Sequence, residues 1–250
     1  MYTLKKSLGQ HFLKDGVIID RIMAAVGQDA CNRMLEVGPG AGALTRHLLQ
    51  LPGVDFKAVE LDKEKVDYLL KQYPSLEGRL IHASFLDISI PFSDSFLLVG
   101  NFPYNISTQI LFRVLDWRQQ VPVMIGMFQK EVAQRVAAAS GSKVYGVLSV
   151  LVQAYYDVEY LFDVDRNCFT PPPQVQSGVI RLRRRESPLQ VKSDKAFWLL
   201  VKTAFNQRRK TLRNAVRGLF TGAALEDPLF NKRAEALTID DFAALTFRMQ

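Results

Sequence analysis

Apolar and polar residues run along this chain in blocks whose period changes, and the changes mark its elements. Residues 5–13 are too polar and glycine-broken to read as a core element. Val17, Ile18, Ile22 and Val26 then recur at helical spacing and predict a helix over 15–26. Residues 34–37 form a short apolar strand, the turn 38–42 (Gly-Pro-Gly-Ala-Gly) follows, and 43–51 reads as a helix. The alternation continues with strand 55–60, helix 62–71, strands 79–82 and 96–99, helix 106–115, strand 121–128 and a helix from Lys130. Residues 145–156 read as a further helix, and 158–164 with 176–182 as a closing pair of strands. Seven strands interleaved with helices predict an α/β fold, a mostly parallel sheet with helices on both faces. The last two strands are expected to form an antiparallel edge. Between them Phe169-Thr170-Pro171-Pro172-Pro173 reads as a stiff extended loop.

The pattern shifts after Leu182. Residues 183–193 read as a linker, and 195–217 and 227–249 as helical with little β-branched material. The expected organisation is an α/β domain over 1–185 and a small all-α domain over 190–250.

Charge sharpens this division. The net charge is +7, and between 181 and 217 twelve Lys and Arg face two acids, which leaves the rest of the chain at −3. A basic block on a near-neutral body points to a polyanionic partner, against the plainer reading of a solvated helix surface. Cys31 and Cys168 have neither disulfide-framework nor metal-ligand spacing, so no metal is expected. Residues 1–13 lack the apolar run of a secretion signal. No stretch approaches the roughly 20 apolar residues of a membrane span. A cytoplasmic protein without a membrane partner is expected.

Two stretches carry candidate chemistry. Strand, glycine turn and helix across 34–51 are the layout of a nucleotide crevice. Gly38 and Gly40 let the backbone approach a ligand, and a helix start offers N–H groups. Glu60, at the end of the second strand, suits a pair of ribose hydroxyls. Gly38-x-Gly40-x-x-Ala43 also fits the dinucleotide fingerprint. A nicotinamide cofactor and S-adenosylmethionine both remain open on these residues, as does a purely structural turn. The second stretch, Asn101-Phe102-Pro103-Tyr104, follows the strand 96–99 and Gly100. The Asn101 amide oxygen and the Pro103 carbonyl are both acceptors and can hold the two hydrogens of one exocyclic amine. Tyr104 offers a flat face to a base, worth roughly 1–3 kcal/mol in stacking. An ordinary turn is the plainer reading of the same residues.

In order along the chain stand Lys6-Ser7-Leu8-Gly9-Gln10-His11-Phe12-Leu13, Glu36-Val37-Gly38-Pro39-Gly40, Asn101-Phe102-Pro103-Tyr104-Asn105-Ile106-Ser107, the three-proline loop from Phe169, and Phe205-Asn206-Gln207-Arg208-Arg209-Lys210-Thr211-Leu212-Arg213-Asn214. With this set the chain resembles the ribosomal RNA adenine dimethyltransferases, the KsgA group, over essentially its whole length. The resemblance implies a Rossmann-like class I S-adenosylmethionine-dependent methyltransferase domain followed by a helical rRNA-binding domain. It implies two N6 methylations on each of two adjacent adenosines, in the loop of the 3′-terminal helix of small-subunit rRNA. S-adenosylmethionine would be held by His11, Leu13, Gly38, Glu60, Ser84 and Asn101, with Gly40 beside Gly38 in the turn. Asn101 and Pro103 would grip the target amine, and Tyr104 and Phe169 would sandwich its ring. Arg208, Arg209, Lys210 and Arg213 would contact RNA, the partner being the immature 30S subunit and the protein a monomer.

Some residues depart from that pattern. Ser84 stands where Asp is usual, Phe102 where Leu is usual, and Gln174 and Gln176 replace a usual Lys and Asp. The rival readings are a large-subunit rRNA methyltransferase of the antibiotic-resistance type, a non-catalytic RNA-binding assembly factor, a DNA or protein amide methyltransferase and a nicotinamide dehydrogenase.

Overall fold

A computed structural model describes residues 11–29, 31–187 and 189–250. The expectations for 5–10, including the start of the first motif, lie outside the described residues. The chain divides into two compact units, Met1–Ala133 with Glu159–Arg184 and Gln134–Val158 with Arg185–Gln250. Among the described residues no helix is long and apolar enough to cross a membrane.

In chain order the elements begin with β1 (Phe12–Leu13), α1 (Gly16–Val26), β2 (Arg33–Val37), α2 (Thr45–Leu48), β3 (Asp55–Glu60), α3 (Lys63–Gln72) and β4 (Leu80–His82). They continue with β5 (Leu97–Asn101), α4 (Ser107–Asp116), β6 (Val123–Gln129), α5 (Lys130–Val136), α6 (Val147–Gln153), β7 (Tyr156–Val164), β8 (Phe169–Thr170) and β9 (Ser177–Arg184). The last are α7 (Asp194–Asn206), α8 (Leu212–Val216) and α9 (Ile239–Thr246).

Seven strands form one sheet in the order β4-β3-β2-β5-β6-β9-β7. The pairs β4-β3, β3-β2, β2-β5 and β5-β6 are parallel, and β9 runs antiparallel to β6 from Val123↔Arg183 to Gln129↔Ser177. This is the mostly parallel sheet with an antiparallel strand toward one edge that the alternation predicts. Its central strands are apolar on both faces because helices cover both. The order reverses between β2 and β5, so their carboxyl ends flank a crevice.

Three local differences have physical reasons. The helix α1 starts where the Asp15 carboxylate accepts from the Ile18 N–H, and it buries Ile18, Ile19, Ile22 and Val26. That register leaves Val17 68% exposed, although its spacing put it on the apolar face. The helix α2 is shorter than 43–51: its last full-turn bond runs from the Leu49 N–H to the Thr45 carbonyl, and the Gln50 and Leu51 N–H groups close tighter turns onto His47 and Leu48. The stretch ending at Leu13 does contribute to the core. β1 pairs with β8 in the register Phe12↔Thr170 and Leu13↔Phe169, and both Leu13 and Phe169 are buried. A two-residue strand is too short to leave a period in the sequence.

The second unit is helical apart from the first residues of β7 and a series of 3₁₀ turns. In it α7, capped by Ser193, buries Phe197, Leu200, Val201 and Ala204. The helix stops at Asn206 because Gln207-Arg208-Arg209-Lys210 offer nothing to bury and set three cations side by side. The stretch 195–217, expected to be helical, therefore holds two helices, α7 and α8. A reciprocal cap between Thr238 and Asp241 starts α9, which is much shorter than the expected 227–249. This unit also contains 134–158, which the expected boundary assigned to the α/β domain. The reason is α6, apolar nearly all round. It packs against α7, and Gln153 at its end donates to the carbonyls of Val136 and Ala138, both at 2.8 Å.

Candidate active site

The crevice at the carboxyl ends of β2, β3 and β5 opens into a cavity. His11, Leu13, Gly38, Gly40, Glu60, Ser84, Asn101, Pro103 and Tyr104 all line it, so nine of the residues singled out from sequence meet in one place.

Its floor follows from the first βα turn. Gly38 and Gly40 have φ of +69° and +57°, a conformation that side chains rarely adopt. A Cβ on Gly40 would also come within 3.0 Å of the Phe12 ring. Glu60 closes this side. Its two carboxylate oxygens accept from the Gly40 N–H at 3.1 Å and the Asp62 N–H at 2.9 Å. Burial raises its pKa, and those N–H bonds oppose the rise. Glu36, on β2, lines the same cavity and is only 2% exposed. Burial pushes its pKa up to about 8; the Thr45 hydroxyl, donating at 2.7 Å, opposes this, and nearby Glu60 adds to it. Sequence reading missed Glu36 as a site residue, although an acid inside an apolar strand is a legible sign. It also missed Leu61, which lines the cavity and is 54% exposed. The Ser84 hydroxyl oxygen accepts from the Leu86 N–H at 3.2 Å, which ties it into the loop after β4.

The opposite wall is Asn101 to Tyr104. This turn is pinned by Phe102, whose ring is buried beneath the sheet ends and sits 4.9 Å from the Phe128 ring. Gly126 makes the room, since a Cβ there would stand 2.0 Å from the Phe102 ring. The Asn101 side-chain nitrogen donates to the His11 carbonyl at 3.0 Å. A carbonyl only accepts, so this bond fixes which way the amide faces, and among the described residues no donor meets the amide oxygen. The Pro103 carbonyl is less open than expected. It accepts from the Ile106 N–H at 3.2 Å and the Ser107 hydroxyl at 3.3 Å, both long, and that hydroxyl reaches the Tyr104 carbonyl at 3.0 Å. The Tyr104 phenol is 2.5 Å from the Ser177 hydroxyl at the start of β9, and the ring stacks on His11 with centroids 5.7 Å apart. Burial raises the phenol's pKa, and the Ser177 bond opposes it.

Phe169 is the correction. Its ring is fully buried in the core and does not line the cavity. Pairing with β1 turns it inward opposite Leu13, so here it anchors the proline loop and forms no sandwich with Tyr104.

The basic residues belong to the second unit. Arg208 pairs with Glu235 at 3.1 Å and donates to the Lys143 carbonyl, so part of its charge serves the unit's own structure. Arg209, Lys210 and Arg213 are exposed, and among the described residues no carboxylate pairs with them. The Leu212 N–H donates to the Lys232 carbonyl at 2.8 Å, which brings exposed Lys232 and Arg233 beside them. Exposed Lys143 joins the same surface through Arg208. Sequence reading missed these three because they lie in separate segments.

Among solved structures, a dimethyladenosine transferase from Plasmodium falciparum superposes with a TM-score of 0.77 at 26% identity, covering 93% of this chain and 94% of its own. The 23S rRNA methyltransferase ErmE superposes with a TM-score of 0.74 at 24% identity, covering 95% and 99%, a likeness of fold alone. Sheet order, cavity and these neighbours define a Rossmann-like class I methyltransferase. The family described as ribosomal RNA adenine dimethylase matches residues 1–249, and the chain belongs to it. A relative named ribosomal RNA small subunit methyltransferase A, from Cytophaga hutchinsonii, is 48% identical over 246 residues, covering 97% of this chain and 95% of its own.

Proposed function

We propose that this protein transfers methyl groups from S-adenosylmethionine to N6 of two adjacent adenosines in small-subunit rRNA, in the loop of the 3′-terminal helix. Each would receive two methyl groups during assembly of the 30S subunit. The observation that carries the reading is the Asn101 amide, held by its nitrogen so that its oxygen is left to accept in a cavity also lined by Glu60 and the glycine turn. The small subunit as target rests on the name of the Cytophaga relative.

The residues fit the cofactor. Glu60, accepting two backbone N–H groups, retains lone pairs for ribose hydroxyls. Gly38 and Gly40 keep the floor free of side chains, and Ser84 has a hydroxyl for the adenine edge. When bound, S-adenosylmethionine supplies a methyl group on a positively charged sulfur, open to attack by a neutral nitrogen.

The chain then has three tasks. The adenosine must leave its stack, which costs a few kcal/mol and least in a loop. Tyr104, braced by Ser177, offers its ring to the extruded base. The Asn101 oxygen accepts one amine hydrogen. In the first transfer the Pro103 carbonyl accepts the other, once Ser107 turns its hydroxyl wholly to the Tyr104 carbonyl. So held, the nitrogen's lone pair is drawn out of the ring and toward the methyl group. Positioning at about 3–3.5 Å supplies the remaining acceleration. No strong base is needed, because the alkylated nitrogen is acidic and its proton passes to water. Arg209, Lys210 and Arg213, with Lys143, Lys232 and Arg233, would neutralise RNA phosphates.

The test is methyl transfer from labelled S-adenosylmethionine to ribosomal subunits from cells lacking this protein. The small subunit should become labelled as dimethyladenosine and the large subunit should not. Label in the large subunit alone would favour the antibiotic-resistance reading, and label in neither would remove the enzymatic one.

A further inference from the structure

We propose that His11 is the positioning residue that orients the Asn101 amide; its effect on catalysis, though not its effect on the amide, rests on the function proposed above. Three contacts meet at this residue. Its carbonyl accepts from the Asn101 side-chain nitrogen at 3.0 Å. Its ring Nδ1 lies 2.9 Å from the Pro171 carbonyl, which only accepts, so Nδ1 carries a hydrogen and donates it. The face of the same ring stacks on Tyr104, 5.7 Å between centroids and 29° between planes. Immediately after it, β1 is paired to β8, and the Lys14 N–H donates to the Cys168 carbonyl at 2.9 Å. The backbone carbonyl that faces Asn101 is thus held by the ring on one side and by the strand pair on the other.

The consequence follows from the chemistry of a primary amide. Oxygen and nitrogen occupy nearly the same volume, and the terminal torsion of Asn is broad and roughly two-fold. Packing alone therefore does not choose between the two orientations. Only a partner that accepts and does not donate chooses, and here that partner is the His11 carbonyl. Without it the amide would turn its N–H groups toward the incoming amine, donor against donor. His11 was expected among the cofactor's ligands, and the geometry gives it this further role, exerted through Asn101.

The test compares His11→Ala with His11→Asn, whose side-chain nitrogen stands where Nδ1 stands and keeps the donor to Pro171. The side-chain amide of Asn101 is observed by NMR in ¹⁵N-asparagine-labelled protein without ligand, assigned by its loss in Asn101→Ala. In His11→Ala this resonance should move toward the position of a solvent-exposed amide, and in His11→Asn it should return most of the way. Single-turnover methyl transfer should slow by about ten- to hundredfold in His11→Ala and recover in His11→Asn. The dissociation constant of S-adenosylhomocysteine, by calorimetry, should shift by less than about threefold. An unmoved Asn101 resonance in both variants overturns the proposal. A loss of S-adenosylhomocysteine affinity equal to the loss of rate also overturns it, reducing His11 to a cofactor ligand. The resonance is read whatever the enzyme methylates, so a failure of the proposed function leaves it interpretable. If His11→Ala does not fold, His11→Asn and His11→Phe, which keep the donor and the ring respectively, divide the same contacts.

Discussion

Glu36 carries the sharpest consequence of a single residue. It is an acid enclosed in the apolar strand β2, with one hydroxyl partner in Thr45 and a second acid nearby. Its carboxyl titrates near 4.5 when exposed and at about 8 here, so between those values the folded chain holds a proton that the unfolded chain has released. Stability is then fully present below the lower value and falls as pH rises toward the upper one. The slope approaches roughly 1.4 kcal/mol per pH unit where Glu36 dominates. Denaturant melts of the ligand-free protein between pH 5 and 9 should follow this fall, and Glu36→Gln should flatten it. An identical slope in the variant would mean that Glu36 is ionised throughout. A residue's place in the cavity was legible where a side chain's type limits its use, as with Glu60 and Asn101. It was not legible for Phe169, because an aromatic ring serves a core and a stacking site equally well, and only the β1–β8 register turns it inward.

Among elements, the loop between α7 and α8 is the informative one. Its composition marked it as basic, but composition does not say which cations are already paired. Arg208 is engaged by Glu235 and by the Lys143 carbonyl, whereas Arg209 and Lys210 are exposed without carboxylate partners among the described residues. Reversing Arg209 and Lys210 to Glu should weaken RNA binding and lower the slope of log K against log salt by about 1.4 or more, since each lost phosphate contact contributes roughly 0.7–0.9. The melting temperature should hardly change. Arg208→Ala should instead cost stability, up to about 1 kcal/mol for a half-exposed pair. Equal loss of stability in both variants would make the whole loop a structural feature. The element β1 teaches the converse lesson. Two residues carry no period, yet their pairing brings His11 to Asn101 and Leu13 to the core.

For the molecule as a whole, the sheet was readable because its central strands β2, β5 and β6 are largely apolar and buried, and parallel strands with crossover connections admit few orders. The unit boundary was not. α6 is a helix buried nearly all round, and its sequence does not record which core surrounds it; only its packing against α7 assigns 134–158 to the second unit. The first unit carries the cavity and the second the exposed basic surface, and the proposed activity requires both. At its centre is one amide oxygen accepting from the adenosine amine. The direct measurement is single-turnover methyl transfer to unmethylated small subunits by Asn101→Ala, with subunit binding and melting temperature measured alongside. Fold and RNA binding should persist while the rate drops by about a hundredfold or more, as for loss of a single well-placed hydrogen bond to a reacting group. Turnover equal to that of the unaltered protein would contradict the account.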